Sequence, residues 1–158
     1  MEDVKKTFQT FEDLEAYKSA RAFRKDMYAV ARKLPDIEKF GLASQIRRAA
    51  VSLTNNLAEG HGRYHYPDRI RFGLMARGSL EELLDDLNVC LDENYLPAKD
   101  IEELKQQGRK VLSLINGYLR YLKNRHDTKP CVLHESSPSQ SYFDEETFAD
   151  ADFNQLTN

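Results

Sequence analysis

Apolar residues recur three and four positions apart in four separate stretches of the chain. The first runs Ala16, Ala20, Phe23, Met27, Val30, Leu34, and the second Leu42, Ile46, Ala49, Leu53, Leu57. The third runs Phe72, Ala76, Leu80, Leu83, Leu87, Cys90, and the fourth Ile101, Leu104, Gly108, Val111, Ile115, Tyr118, Leu122. This is the period of one face of an α-helix, and no segment alternates as a strand would. The stripes predict helices over roughly 11–34, 38–60, 67–94 and 98–124. Thr10 is placed as an N-cap, Leu34-Pro35-Asp36 as a stop, Gly60-His61-Gly62 as a helix end, and Pro67 in a first turn. Short connections between long amphipathic helices force antiparallel neighbours. The expected fold is therefore all-α: an antiparallel up-down-up-down four-helix bundle over 11–126 after a flexible 1–10.

The fourth stripe is broader than one core needs. Leu112, Leu114, Leu119 and Tyr121 extend it past the ~100° usual for a bundle helix. Two readings follow: a broad core face, or a subunit interface that makes the protein a homo-oligomer.

From Asp127 onward the periodicity stops. Residues 134–141 are rich in Ser and Pro, and 142–153 mix Tyr142, Phe143, Phe148 and Phe153 with five acids. The composition predicts a disordered acidic tail over 127–158, with or without a docking motif in its aromatics.

Charge sharpens this division. The net charge of −3 is the sum of −6 over 127–158 and +3 over the rest. A mildly basic body suits an anionic partner without being a strong nucleic-acid signature. The two cysteines, one in a helical stripe and one in the tail, are not a disulfide framework. No signal peptide and no membrane-spanning run is seen, so a cytoplasmic location without a membrane partner is expected.

Residues suited to catalysis are few. His61 and His65 are four apart but straddle Gly62, and no cysteine nearby completes a metal set. The pairs Glu81-Glu82 and Asp85-Asp86 point about 100° apart on a helix and read as a solvated face. No phosphate-binding loop, nucleophile elbow or HExxH motif occurs. The reading is a non-enzyme with no cofactor and no metal.

Arginine usage says more. Between Gly41 and Gly78 lie Arg47, Arg48, Arg63, Arg69, Arg71 and Arg77, with no lysine. Arg47, Arg63, Arg69 and Arg77, with Tyr64 and Tyr66 for stacking, form a candidate nucleic-acid surface. From Ser79 to Leu104 nine acids face only Lys99. The third helix is thus basic at its start and acidic at its end, against its dipole. A polar seam with the second helix would explain that order. Folding the two antiparallel so that facing positions sum to about 130 sets Glu59 against Arg71, Ser52 against Ser79, and Arg48 against Glu82.

Residues 42–63, LASQIRRAAVSLTNNLAEGHGR, and 71–83, RFGLMARGSLEEL, resemble the four-helix-bundle proteins encoded in intervening sequences of bacterial 23S ribosomal RNA genes. Leu14, Tyr17, Leu34-Pro35, Glu38 and Gly41-Leu42 extend the resemblance, which covers about 11–124. This chain departs where the family often has proline and serine, at Thr54 and Asn55, so a kink in the second helix should be weaker here. The resemblance implies the four-helix fold and a likeness to the accessory protein of diversity-generating retroelements, a pentameric barrel that binds nucleic acid and a reverse transcriptase. The partners it implies are further copies of the chain, most simply as a pentamer, with RNA or DNA, or a nucleic-acid enzyme. The genomic location does not imply a ribosome component. The alternative function is a protein-interaction adaptor that uses the acidic aromatic tail and has no nucleic-acid role.

Overall fold

The computed structural model describes residues 10–127. Four helices follow in order: α1 Glu15–Lys33, α2 Leu42–Gly62, α3 Tyr66–Asp92 and α4 Ala98–Asp127. α1 packs on α2 and α4, and α3 packs on α2 and α4, which makes a closed antiparallel four-helix bundle. The tail expected over 127–158 and the flexible start expected over 1–10 lie outside the described residues except at their inner edges, where Asp127 ends α4 instead of opening the tail and Thr10 caps the first turn.

The apolar stripes meet at the centre. Phe23, Met27, Ile46, Leu53, Leu57, Leu80, Leu83, Leu87, Ile101, Val111, Ile115 and Leu122 are fully buried. Each such side chain contributes on the order of 2 kcal/mol from the apolar area it removes from water.

Two helix starts differ from the sequence expectation because side chains intercept backbone donors. Thr10 caps, but what it caps is a single 3₁₀ turn, Phe11–Asp13, where the Thr10 N–H donates to Asp13 Oδ2 at 3.1 Å. Leu14 is then extended (ψ 124°), and α1 starts only at Glu15. Residues 36–38 form a second 3₁₀ turn rather than the first turn of α2. Glu38 Oε2 accepts the N–H of Leu42 at 2.9 Å, satisfying one donor that a helix start leaves open. The other carboxylate oxygen accepts the hydroxyl of Tyr95, in the α3–α4 connection, at 2.9 Å. These two bonds, the backbone one foremost, hold the Glu38 carboxyl below its ordinary pKa.

α2 runs unbroken through Thr54 and on through Gly60 to Gly62. Thr54 is buried, accepting from Arg24 Nη1 at 2.8 Å and donating back to the Val51 carbonyl at 3.2 Å. At Gly60 α2 and α3 are in close contact. A Cβ there would lie 2.8 Å from Phe72 Cβ, so only glycine permits the approach.

α4 uses most of its broad stripe inside the bundle. Leu112, Leu114 and Leu119 pack against the core. Leu119 seats in a notch left by Gly73 of α3, where a Cβ would be 2.6 Å from Leu119 Cδ2. Of the four residues set aside for an interface, Tyr121 is the exposed one, at 48%.

One acid has no counterpart in the sequence reading. Glu81, Glu82 and Asp85 are exposed, as a solvated face requires, but Asp86 is only 4% exposed. One of its carboxylate oxygens is buried without a hydrogen-bond partner among the described residues. Burial foremost, with Glu82 and Asp85 nearby, pushes its pKa up to about 6. Asp86 and burial also raise the Cys90 thiol.

Candidate nucleic-acid interface

The seam between α2 and α3 forms at its centre only. The hydroxyl oxygens of Ser52 and Ser79 are 2.8 Å apart, and Asn56 Nδ2 donates to both the Ser52 carbonyl (2.9 Å) and its hydroxyl (3.1 Å). The register inferred from sequence therefore holds, but neither charged end closes as drawn. Glu59 pairs with Arg63, four residues on and just past the end of its own helix, rather than with Arg71. An i,i+4 partner needs no bridging across the groove, and it wins. Arg48 and Glu82 make no ion pair with each other among the described residues. The reversed charge order of α3 is therefore not explained by α2, nor by any other contact among the described residues.

The six candidate recognition residues do not form one surface. Arg47 lies near the start of α2, about 24 Å along the helix from Arg63 at the ~1.5 Å rise per residue. Its guanidinium donates to the Lys39 carbonyl at 3.1 Å, fastening the α1–α2 connection. Arg77 is partly buried mid-helix in α3.

Arg63, Tyr64, Tyr66 and Arg69 do come together, where α2 ends and α3 begins. Arg69 Nε donates to the Arg63 carbonyl at 2.6 Å, just past the last turn of α2, where a cation also meets the negative end of the helix dipole. Its guanidinium lies 5.7 Å from the Tyr66 ring centroid. Arg63 stacks 4.8 Å over Phe72 while it holds Glu59. Tyr64 is left almost free, 89% exposed, with His65 edge-on to it at 5.1 Å. His61 stands partly buried behind. Burial foremost, with the nearby Arg69, lowers its pKa, which favours the neutral ring near neutrality. α4 ends alongside, and Arg125 stacks over Tyr121 at 5.4 Å. Sequence reasoning assigned Tyr121 to an interface and passed over Arg125. Their four-residue spacing at a helix end was the available signal.

The result is an end of the bundle where three arginines each lie over an aromatic ring and a fourth aromatic, Tyr64, stands clear. Chemically, it offers guanidinium donors for an anion and open ring faces for stacking.

Residues 12–117 match the family described as 23S rRNA-intervening sequence protein. The chain belongs to this family. The match runs from the 3₁₀ turn ahead of α1 through the first two thirds of α4 and takes in the whole α2–α3 corner. Arg125 and Tyr121 lie beyond it. No curated protein matches the chain. Among the described residues, no helix is long and apolar enough to cross a membrane.

Proposed function

We propose that this family member is a non-catalytic binding module that takes single-stranded nucleic acid, or a nucleic-acid enzyme carrying it, at the α2–α3 end of the bundle. The observation that carries the reading is Tyr64: a ring 89% exposed, beside Arg63 and Arg69. Exposing a large aromatic costs apolar contact with the fold, and flanking cations make it a stacking platform beside a phosphate path. Arg63 and Arg69 already have local partners, which hold them in place at this corner. The proposed working form is a homo-oligomer, a pentamer by resemblance. The exposed Ile37, Phe40, Val89 and Leu91 support association more than α4 does. Light scattering coupled to size exclusion tests this part, and a monomer mass removes it.

Fluorescence anisotropy with a labelled single-stranded oligonucleotide tests the binding. Affinity falls steeply with salt, because each phosphate contact releases counterions. Salt-independent binding, or none, would hand the function to the adaptor reading.

A further inference from the structure

A second feature lies away from this corner, on the outer face of α2. Between Tyr28 of α1 and Met75 of α3 the surface drops into an open groove of about 620 Å³. It forms because α2 presents mostly small or short side chains there, so the flanking helices stand above it. Among the described residues its charged lining is Arg47 and Arg48, and no acid lines it. Arg47 is tied to the Lys39 carbonyl, but Arg48 is exposed and has no hydrogen-bond or ion-pair partner among the described residues. Asn55, about two turns further on, is likewise exposed. Between these polar groups lie Val51 and Met75, the latter 48% exposed. Cationic donors around an apolar centre select a ligand with carboxylates and a bulky apolar side chain together.

The chain itself carries such a segment. Tyr142-Phe143-Asp144-Glu145-Glu146 sets two aromatics directly before three acids. We propose that this segment occupies the α2 groove of its own chain, its carboxylates on Arg48 and Arg47 and an aromatic ring over Val51 and Met75.

Reach permits it. α4 ends at Asp127, at the end of the bundle where α2 also ends. From there to Arg48 is about 14 Å across the bundle, the diagonal of helices packed 8–10 Å apart. About 21 Å down α2 completes the path. Residues 128–141 span up to about 46 Å when extended. The groove, about 17 Å from Ser44 to Asn55, fits about five extended residues. Opposite charge and a short tether raise the segment's local concentration far above that of any free acidic peptide.

The test is methyl and side-chain amide NMR on the full-length chain. Asp144→Asn, Glu145→Gln and Glu146→Gln are changed together. The expected result is a shift of the Met75 methyl and Asn55 amide signals, with the buried Met27 methyl unmoved. Arg48→Glu reproduces that shift, and adding Glu145→Arg and Glu146→Arg to Arg48→Glu reverses it. Signals that stay in place in the triple variant overturn the proposal. A shift that appears only as protein concentration rises gives the groove to a second copy, which also overturns it. So does an oligonucleotide that moves Met75 equally in the wild-type chain and the triple variant.

Discussion

Ser52 of α2 and Ser79 of α3 stand with their hydroxyl oxygens 2.8 Å apart at the middle of the helix pair. Small residues let the backbones approach, and the hydroxyls satisfy one another in a part-buried place. Ser52→Ala removes the hydroxyl without adding volume; the Ser79 hydroxyl keeps the Met75 carbonyl (3.2 Å), and Asn56 keeps the Ser52 carbonyl (2.9 Å). The expected loss is about 0.5–1.5 kcal/mol in urea unfolding. The Ser52→Ala/Ser79→Ala pair is non-additive, because both variants remove the same bond. By contrast, Glu59→Ala and Arg71→Ala share no contact, so that double mutant adds to within about 0.5 kcal/mol.

Two glycines of one helix end behave oppositely. Gly60→Ala drives a methyl into Phe72 and costs about 1–3 kcal/mol. Gly62→Ala meets nothing within 4 Å and is neutral or stabilising by up to about 1 kcal/mol. Thermal unfolding of the two variants side by side checks the close approach. Equal effects would deny it.

Asp86 makes stability depend on pH with an unusual sign. Its folded pKa, about 6, is raised above the ordinary carboxylate value. Its favourable contribution is therefore complete only below the unfolded pKa, near 4, and is lost as pH rises through 6. At pH 7 the ionised form costs up to about 3 kcal/mol, from about two units at 1.36 kcal/mol each. Asp86→Asn should raise the Tm at pH 7.5 by removing that cost, and leave it nearly unchanged at pH 4. A variant less stable than the parent at both pH values would show that the carboxylate has a partner.

Tyr64→Ala separates function from fold. The ring is almost wholly exposed, so stability changes by less than about 0.5 kcal/mol. Oligonucleotide affinity falls by about 1–3 kcal/mol if the ring stacks on a base. Anisotropy and unfolding on one preparation give both numbers. Unchanged affinity moves the interface off this corner.

The four helices were legible because each stripe keeps a 3.6-residue period, and residues such as Phe23, Ile46, Leu80 and Ile115 are buried as that period requires. The α2–α3 register was legible too, since only one antiparallel alignment sets Ser52 against Ser79. Helix starts were not, because Glu38 and Asp13 act through side-chain bonds to backbone that no periodicity reports. The destination of Glu59 was hidden by competition: Arg63 and Arg71 are chemically alike, and only geometry favours the nearer. Leu119 looked surplus because the notch that receives it is a missing side chain, Gly73, on another helix. Asp85 and Asp86 are the same residue type side by side, and only the packing of α3 puts one outside and the other in. The corner at Arg63–Arg69 was legible as a run of arginine and tyrosine, whereas Arg47 and Arg77 were placed with it only by composition.

The bond between Tyr95 and Glu38 has one further consequence. The described residues form two helical hairpins, α1 with α2 and α3 with α4, whose covalent link is the short turn between Gly62 and Tyr66. Were that turn to straighten, one chain's hairpin would pack onto another's, and two molecules would trade halves as a domain-swapped dimer. The Tyr95–Glu38 bond clasps the hairpins at the end farthest from the turn, where a swap must open first. Tyr95→Phe undoes the clasp while leaving the core in place, so it biases the chain toward exchanged halves.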